Sequence, residues 1–168
     1  RVWLFDLDNT LHDASRSSFR MLDTAMTGYI ARELGLPHDA ADVLREHYWH
    51  RYGATLLGLE RHHQVRAEHF LAETHRLPGL EDLLCASAVD RAALRRLPGR
   101  KFILTNAPQA YAHRVLRHLG MHRSFEQVIG IEAMRSFGQL RPKPDTRMFR
   151  MLMAKLKLRP CDCILVED

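Results

Sequence analysis

The sequence predicts an α/β fold in which a parallel β-sheet is interrupted early by an inserted α-helical cap. Three observations predict this fold: a short apolar run at the start of the chain, an alternation of strand and helix patterns after residue 80, and polar side chains directly after the apolar runs. Strands that alternate with helices favour a parallel sheet with right-handed crossovers. We therefore expect an α/β core formed by residues 1–11 and 79–168, and a helical cap formed by residues 12–78.

The first strand is expected at residues 2–5, an unbroken apolar run typical of a strand that is buried on both faces. Asp6 and Asp8 follow it at once. Because they are two positions apart on an extended chain, both carboxylates can face one small volume. A divalent cation would relieve their repulsion. An Asx-rich turn with both carboxylates in water is the structural alternative.

The insertion after the first strand is expected to be helical, in the position of a lid over the end of that strand. Apolar residues recur at helical spacing in three segments, residues 19–34, 39–52 and 65–74. Ser15 is the expected N-cap of the first helix, and Gly35 and Gly53 are the expected ends of the first two helices. An apolar stretch at residues 54–59 precedes the third helix.

After residue 80 the strand and helix patterns alternate. Further strands are expected at residues 101–104, 127–131 and 162–166, and helices at residues 90–97, 108–119 and 145–158. Polar residues follow these strands: Thr105 and Asn106 after the second, Lys143 in the segment after the third, and Glu167 and Asp168 after the fourth. Since the carboxyl ends of parallel strands meet at one edge, we expect all of them near the first two aspartates.

Each group at this edge has a chemical use. The Thr105 hydroxyl and the backbone N–H groups at Asn106 can bind an anion at a helix start, and Lys143, between two prolines, adds a positive charge. Glu167 and Asp168 offer the oxygen ligands that hard cations need. Taken singly, the same residues can be a strand end, an N-cap, a solvated loop lysine and an exposed terminus.

Together these motifs resemble the haloacid dehalogenase superfamily of phosphohydrolases, whose core is a Rossmann-like sheet. The pattern is Asp-x-Asp-x-Thr/Val, then Thr/Ser, then Lys, then an acidic pair, and it is matched at residues 5–11, 104–106, 143–145 and 166–168. A narrower resemblance to the pyrimidine 5′-nucleotidase group rests on residues 5–11, 52–53, 58–59, 105–107 and 113–120. The final pair is Glu-Asp where several relatives have Asp-Asp. Relatives continue with a further strand and helices, so we expect a trimmed chain.

The resemblance implies a Mg²⁺-dependent phosphomonoester hydrolase in which Asp6 forms an aspartyl-phosphate and Asp8 is the general acid and base. It implies that phosphate is bound by Thr105, Asn106 and Lys143, and that the metal is held by Asp6, the Asp8 carbonyl, Glu167 and Asp168. The expected substrate is a small phosphorylated metabolite, a nucleoside 5′-monophosphate, with specificity set in the cap around Tyr48, Tyr52, His62 or His63.

Three alternatives differ in chemistry. A phosphatase or phosphomutase acting on a small sugar or organic phosphate would keep the same residues. A catalytically silent binding domain would keep only the fold. A dehalogenase needs neither a second acid nor a metal, so Asp8 and the terminal acidic pair argue against it.

Composition excludes other classes of partner. The net charge of +5 and the pI near 9.4 suit an anionic ligand. The arginines are scattered and aromatic residues make up only 8%, which argues against a nucleic acid polymer. No apolar segment approaches the ~20 residues that span a bilayer, so no membrane partner is expected. Three cysteines are too few for a disulfide framework, which favours a reducing, cytoplasmic location.

Overall fold

The computed structural model describes residues 1–85 and 87–168. Within these ranges the strands are β1 (Val2–Phe5), β2 (Arg100–Leu104), β3 (Gln127–Ile129), β4 (Arg135–Ser136), β5 (Gln139–Leu140) and β6 (Cys163–Val166). The α-helices are α1 (Ser18–Leu34), α2 (His38–Tyr52), α3 (Thr55–His63), α4 (Ala67–Thr74), α5 (Ala88–Arg96), α6 (Gln109–His118) and α7 (Thr146–Leu156). None of the helices in the described ranges is both long enough and apolar enough to cross a membrane.

Four parallel strands form the main sheet in the order β3-β2-β1-β6, which confirms the predicted α/β fold. Phe5 lies level with Ile103 of β2 and with Val166 of β6. The residues that follow these three strands therefore emerge at one edge of the sheet. Beneath that edge, buried side chains of β1 and β2, such as Leu4 and Phe102, form a core cluster with residues of α7.

The described chain divides into two compact units. One comprises Arg1–Ser15 and Leu80–Asp168 and contains the sheet; the other, Arg16–Gly79, contains α1 to α4. In the helical unit α1 packs against α2 and α4, and α2 packs against α3. The role of residues 12–78 as a cap stays a prediction.

The predicted helix limits hold at several positions. Gly35 and Gly53 end α1 and α2 in the left-handed conformation that glycine adopts readily. The Asp145 carboxylate accepts hydrogen bonds from the backbone N–H groups of Arg147 and Met148 at the start of α7, as expected of an N-cap.

The predicted N-cap of α1 is wrong. Ser17, and not Ser15, occupies the N-cap position, and its side chain makes no capping hydrogen bond. Ser15 instead donates its backbone N–H to Asn9 Oδ1 over 3.0 Å, and its hydroxyl accepts from Asn9 Nδ2 over 2.9 Å. Asparagine and serine side chains readily form hydrogen bonds with nearby polar groups in a turn. Ser15 is engaged with Asn9 in this way and does not cap α1.

Gly58 of α3 is required by a close contact with α2. A Cβ atom added at Gly58 would lie 2.2 Å from Cγ of Tyr48, whose hydroxyl is hydrogen-bonded to His63 Nε2 over 2.8 Å. The ring is buried and its first ring carbon cannot move without the helix. The helices can therefore approach this closely only with glycine at this position.

We expect Gly58→Ala to lower the free energy of unfolding by about 1–3 kcal/mol, because it overpacks this contact. Gly28→Ala is the matched control, since it lies within α1 and nothing stands within 4 Å of its added Cβ. That control is expected to be neutral or stabilising by roughly 0.5–1 kcal/mol. Urea unfolding of both variants measures the difference, and equal effects would contradict the close contact.

Candidate active site

Lys143 joins two of the predicted acidic residues. Its Nζ atom donates a hydrogen bond to Asp6 Oδ1 over 2.7 Å and another to Glu167 Oε1 over 2.8 Å. Lys143 is only 6% exposed. A buried ammonium is tolerated when it is paired and hydrogen-bonded in this way. Three residues that are far apart in the sequence therefore meet at one point.

Backbone contacts place these three side chains. Asp6 directly follows β1, and its N–H donates to the carbonyl of Val166 over 2.9 Å, which puts it beside Glu167 at the end of β6. The Asn106 side chain fixes Lys143: Asn106 Oδ1 accepts from the Lys143 N–H over 2.8 Å, and Asn106 Nδ2 donates to the Lys143 carbonyl over 3.1 Å. The lysine loop is thereby attached to the end of β2.

Asp6 is 8% exposed, and burial of its carboxyl group raises the pKa above the ordinary value. The hydrogen bond and the positive charge of Lys143 act in the opposite direction and favour the ionised form. Lys143 is thus the group that offsets the cost of holding an anionic Asp6 in this buried position.

Thr105 is buried and has a local role. Its Oγ1 accepts a hydrogen bond from the N–H of Ala107 over 3.1 Å, and its own N–H donates to the Ile129 carbonyl over 3.0 Å. These contacts fix the turn between β2 and α6. They are the structural role that we gave as the alternative for a threonine at a strand end. Binding of phosphate by Thr105, Asn106 and Lys143 stays a prediction.

The Asp8 side chain has two partners that the sequence did not indicate. Tyr111 of α6 donates its hydroxyl to Asp8 Oδ1 over 2.8 Å, and His12 Nε2 lies 2.9 Å from the same oxygen. His12 lies four residues after Asp8 and was assigned to the cap. Tyr111 offered no signal beyond its place in the helix that follows β2, because it is separated from Asp8 by 103 positions.

The loop from Asn9 to Ser15 continues from these aspartates. Asn9 has a positive φ of 60°, and its side chain is held by Ser15. The buried Thr10 hydroxyl has no hydrogen-bond partner among the described residues. A cavity of about 500 Å³ lies beside this loop and is also lined by Cys85 and Asp90.

The donors at the sheet edge have the chemistry that suits Mg²⁺. Asp6 and Glu167 present carboxylate oxygens to one shared ammonium, and hard cations take such oxygens as ligands. Asp168 is exposed and makes no hydrogen bond or ion pair with a described residue. No three His, Cys, Asp or Glu side chains within residues 1–85 and 87–168 converge in a metal-binding arrangement. The predicted ligand set, Asp6, Asp8, Glu167 and Asp168, stays a prediction.

The four predicted specificity residues form one cluster within the helical unit. Tyr48 is hydrogen-bonded to His63 over 2.8 Å and Tyr52 to His62 over 2.6 Å, and the Tyr48 and His62 rings are stacked. The structure brings them together, and their role in selecting a substrate stays a prediction.

Comparisons with known proteins agree with this fold. "Phosphate metabolism protein 8" of Saccharomyces cerevisiae is 27% identical over 139 residues, which cover 76% of this chain and 42% of that protein. The chain thus spans less than half the length of this curated relative. The structure of a HAD phosphatase from Thermococcus onnurineus is 18% identical, with a TM-score of 0.57, and the match covers 98% of this chain and 75% of that chain.

A second solved structure, a HAD-hydrolase from Bacillus subtilis described as bound to magnesium, is 17% identical with a TM-score of 0.56. The match covers 98% of this chain and 76% of that chain. At these identities the two structures show a shared fold. The sequence model described as haloacid dehalogenase-like hydrolase matches residues 1–168, which include every strand of the sheet and every residue at its polar edge. The chain therefore belongs to the haloacid dehalogenase-like hydrolase family.

Proposed function

We propose that this chain is a phosphatase that hydrolyses small phosphomonoesters through an aspartyl-phosphate on Asp6. The observation that carries the proposal is the buried contact of 2.7 Å between Lys143 Nζ and Asp6 Oδ1. A carboxylate nucleophile must remain ionised and must approach an anionic phosphoryl group. A lysine at this distance serves both needs, because its charge stabilises the carboxylate and attracts the phosphate.

The first step transfers the phosphoryl group to the protein. An Asp6 carboxylate oxygen attacks phosphorus, the bond from phosphorus to the ester oxygen breaks, and Asp8 gives its proton to the departing alcohol. Lys143 and the N–H groups at Asn106 would hold the phosphoryl oxygens while charge is redistributed among them. Asp8 suits the proton transfer because it lies two residues from the nucleophile, at the same end of β1.

The second step returns the nucleophile to its starting state. Asp8, now ionised, takes a proton from water as the water oxygen attacks phosphorus. The bond between phosphorus and Asp6 breaks, and inorganic phosphate leaves. Mg²⁺, held by Asp6, the Asp8 carbonyl, Glu167 and Asp168, would supply charge neutralisation for the phosphoryl group.

Nucleoside 5′-monophosphates are the substrate class we propose first. The support is the resemblance of residues 5–11, 105–107 and 113–120 to the pyrimidine 5′-nucleotidase group, together with a net charge of +5 that favours anionic ligands. Sugar phosphates and other organic phosphates make the same demands on the polar edge, and a phosphomutase would transfer the group to a second substrate instead of water.

A phosphate-release assay on a panel of nucleoside monophosphates and sugar phosphates tests the proposal. With MgCl₂ we expect turnover of at least one pyrimidine nucleotide at roughly 1–10³ s⁻¹, the usual range for enzymes, and loss of turnover when EDTA removes the metal. Turnover of sugar phosphates alone would refute the nucleotide assignment. Inertness towards the whole panel would refute the phosphatase and favour the silent binding domain.

A further inference from the structure

The Asp8 carboxylate is held from two sides by rigid, buried rings. Tyr111 is 3% exposed and His12 is 7% exposed, and they reach the same oxygen, Oδ1, from helix α6 and from the loop after β1. Oδ1 accepts from the Tyr111 hydroxyl, and it also accepts from His12 when the imidazole carries a hydrogen on Nε2, whether or not Oδ2 is protonated. Both hydrogen bonds that Asp8 accepts from described side chains therefore end on Oδ1.

This arrangement gives the two oxygens of Asp8 different roles. Oδ1 accepts hydrogen bonds from the protein, and Oδ2 is available for exchange of a proton. A short backbone bridge between Asp8 and His12 also fixes the loop that carries both residues. With its backbone and one oxygen held, the carboxylate has little freedom to rotate about its side-chain bonds.

We infer that Tyr111 and His12 are positioning residues that aim Oδ2 of Asp8 at the ester oxygen of the substrate and then at the attacking water. The inference rests on the proposed function. In the first step Oδ2 gives its proton to the ester oxygen as the phosphorus–oxygen bond breaks. In the second step it takes a proton from the water whose oxygen attacks phosphorus. Proton transfer requires heavy-atom distances of about 2.6–3.2 Å, so a displaced carboxylate slows both steps.

The alternative is that the two contacts have a purely structural role, in which they only satisfy the hydrogen-bonding needs of buried polar groups. Buried tyrosine hydroxyls and imidazoles need partners, and Asp8 supplies one for each. The two readings differ in what the loss of a contact changes. A structural contact affects the stability of the fold, whereas a positioning contact affects the steps in which Asp8 moves a proton.

The test compares Tyr111→Phe, His12→Leu and His12→Gln with the wild-type chain. Phenylalanine removes only the hydroxyl, leucine removes the ring donors, and glutamine retains a donor near the position of Nε2. For an alkyl phosphate we expect kcat to fall by roughly 10–10²-fold in Tyr111→Phe and His12→Leu with little change in KM. His12→Gln should recover part of the loss.

A second substrate separates proton transfer from the attack by Asp6. The p-nitrophenolate group leaves without a proton, so p-nitrophenyl phosphate should phosphorylate Asp6 at nearly the same rate in the wild type and in the variants. We expect a stoichiometric burst of p-nitrophenol in each variant, followed by slow steady-state turnover, because hydrolysis of the intermediate still needs Asp8 as a base.

Tyr29→Phe is the matched control. Tyr29 is 4% exposed and its hydroxyl is hydrogen-bonded to His69 over 2.8 Å within the helical unit. This variant loses the same kind of contact and is expected to keep the wild-type kcat. Unchanged kcat in Tyr111→Phe and His12→Leu would overturn the positioning role but not the proposed function. Loss of the burst together with a lowered melting temperature would have the same meaning. A wild-type chain that releases no p-nitrophenol and no phosphate would refute the proposed function and the inference with it.

Discussion

Asp6→Asn is expected to lower kcat for phosphate release by at least about 10³-fold, because an amide cannot form the acyl-phosphate on which the two-step reaction depends. The substitution preserves the shape of the side chain, its amide oxygen can still accept the hydrogen bond from Lys143, and Lys143 keeps Glu167 as a charged partner. The melting temperature should therefore change little. Wild-type protein quenched in acid during turnover should carry one phosphoryl group in its intact mass, and the variant should carry none.

Asp82→Asn is the control for this experiment. Asp82 is exposed and belongs to the same unit as Asp6, in the short 3₁₀ helix Leu80–Leu83. The control removes a carboxylate charge that forms no hydrogen bond or ion pair with Asp6 or Lys143. We expect wild-type activity. If Asp6→Asn turned over substrate as fast as the wild type, Asp6 would not be the nucleophile. If it lost cooperative unfolding as well as activity, its role would be structural.

The nearness of Asp6 and Glu167 was predictable because it follows from topology, whereas Lys143 does not directly follow a strand of the sheet and is fixed by the Asn106 side chain. Parallel strands have their carboxyl ends at one edge, so residues that follow β1 and β6 must be neighbours once these strands pair. The contacts of Asp8 were not predictable in the same way. The partner of a carboxylate depends on the side-chain rotamers and on the rotation of α6, and neither leaves a pattern in the sequence.

The secondary structure shows a similar contrast between elements that the sequence predicted and short elements that it did not. The four strands of the sheet were predicted because each is a distinct apolar run. Helix α3 (Thr55–His63) was not assigned, because its apolar residues form a short run that favours no single periodicity. The hairpin of β4 and β5 was also missed. Its strands have two residues each, and its turn places Phe137 and Gly138 in left-handed conformations that phenylalanine rarely adopts.

Lys143→Met should reduce both activity and stability. It replaces a buried ammonium by an apolar chain of similar length and leaves Asp6 and Glu167 without their shared cation. Removing one partner of a buried ion pair costs about 3–5 kcal/mol. The Glu167 side chain is 36% exposed, and solvent screens its charge. We therefore expect the free energy of unfolding to fall by roughly 2–3 kcal/mol in Lys143→Met. Loss of a preorganised positive donor should also lower kcat/KM by roughly 10²–10³-fold.

The two effects can be separated by measuring kcat/KM well below the melting temperature and by a pair of comparison variants. Lys155→Met removes an exposed lysine of α7 and should change neither quantity. Lys143→Arg keeps the charge but replaces a compact ammonium with a planar guanidinium, so it should retain more stability than the methionine variant while losing activity. Undiminished stability in Lys143→Met would contradict a buried lysine between two carboxylates. Unchanged kcat/KM would remove Lys143 from the phosphate site, because a charge 2.7 Å from the nucleophile cannot be lost without changing how that nucleophile meets an anion.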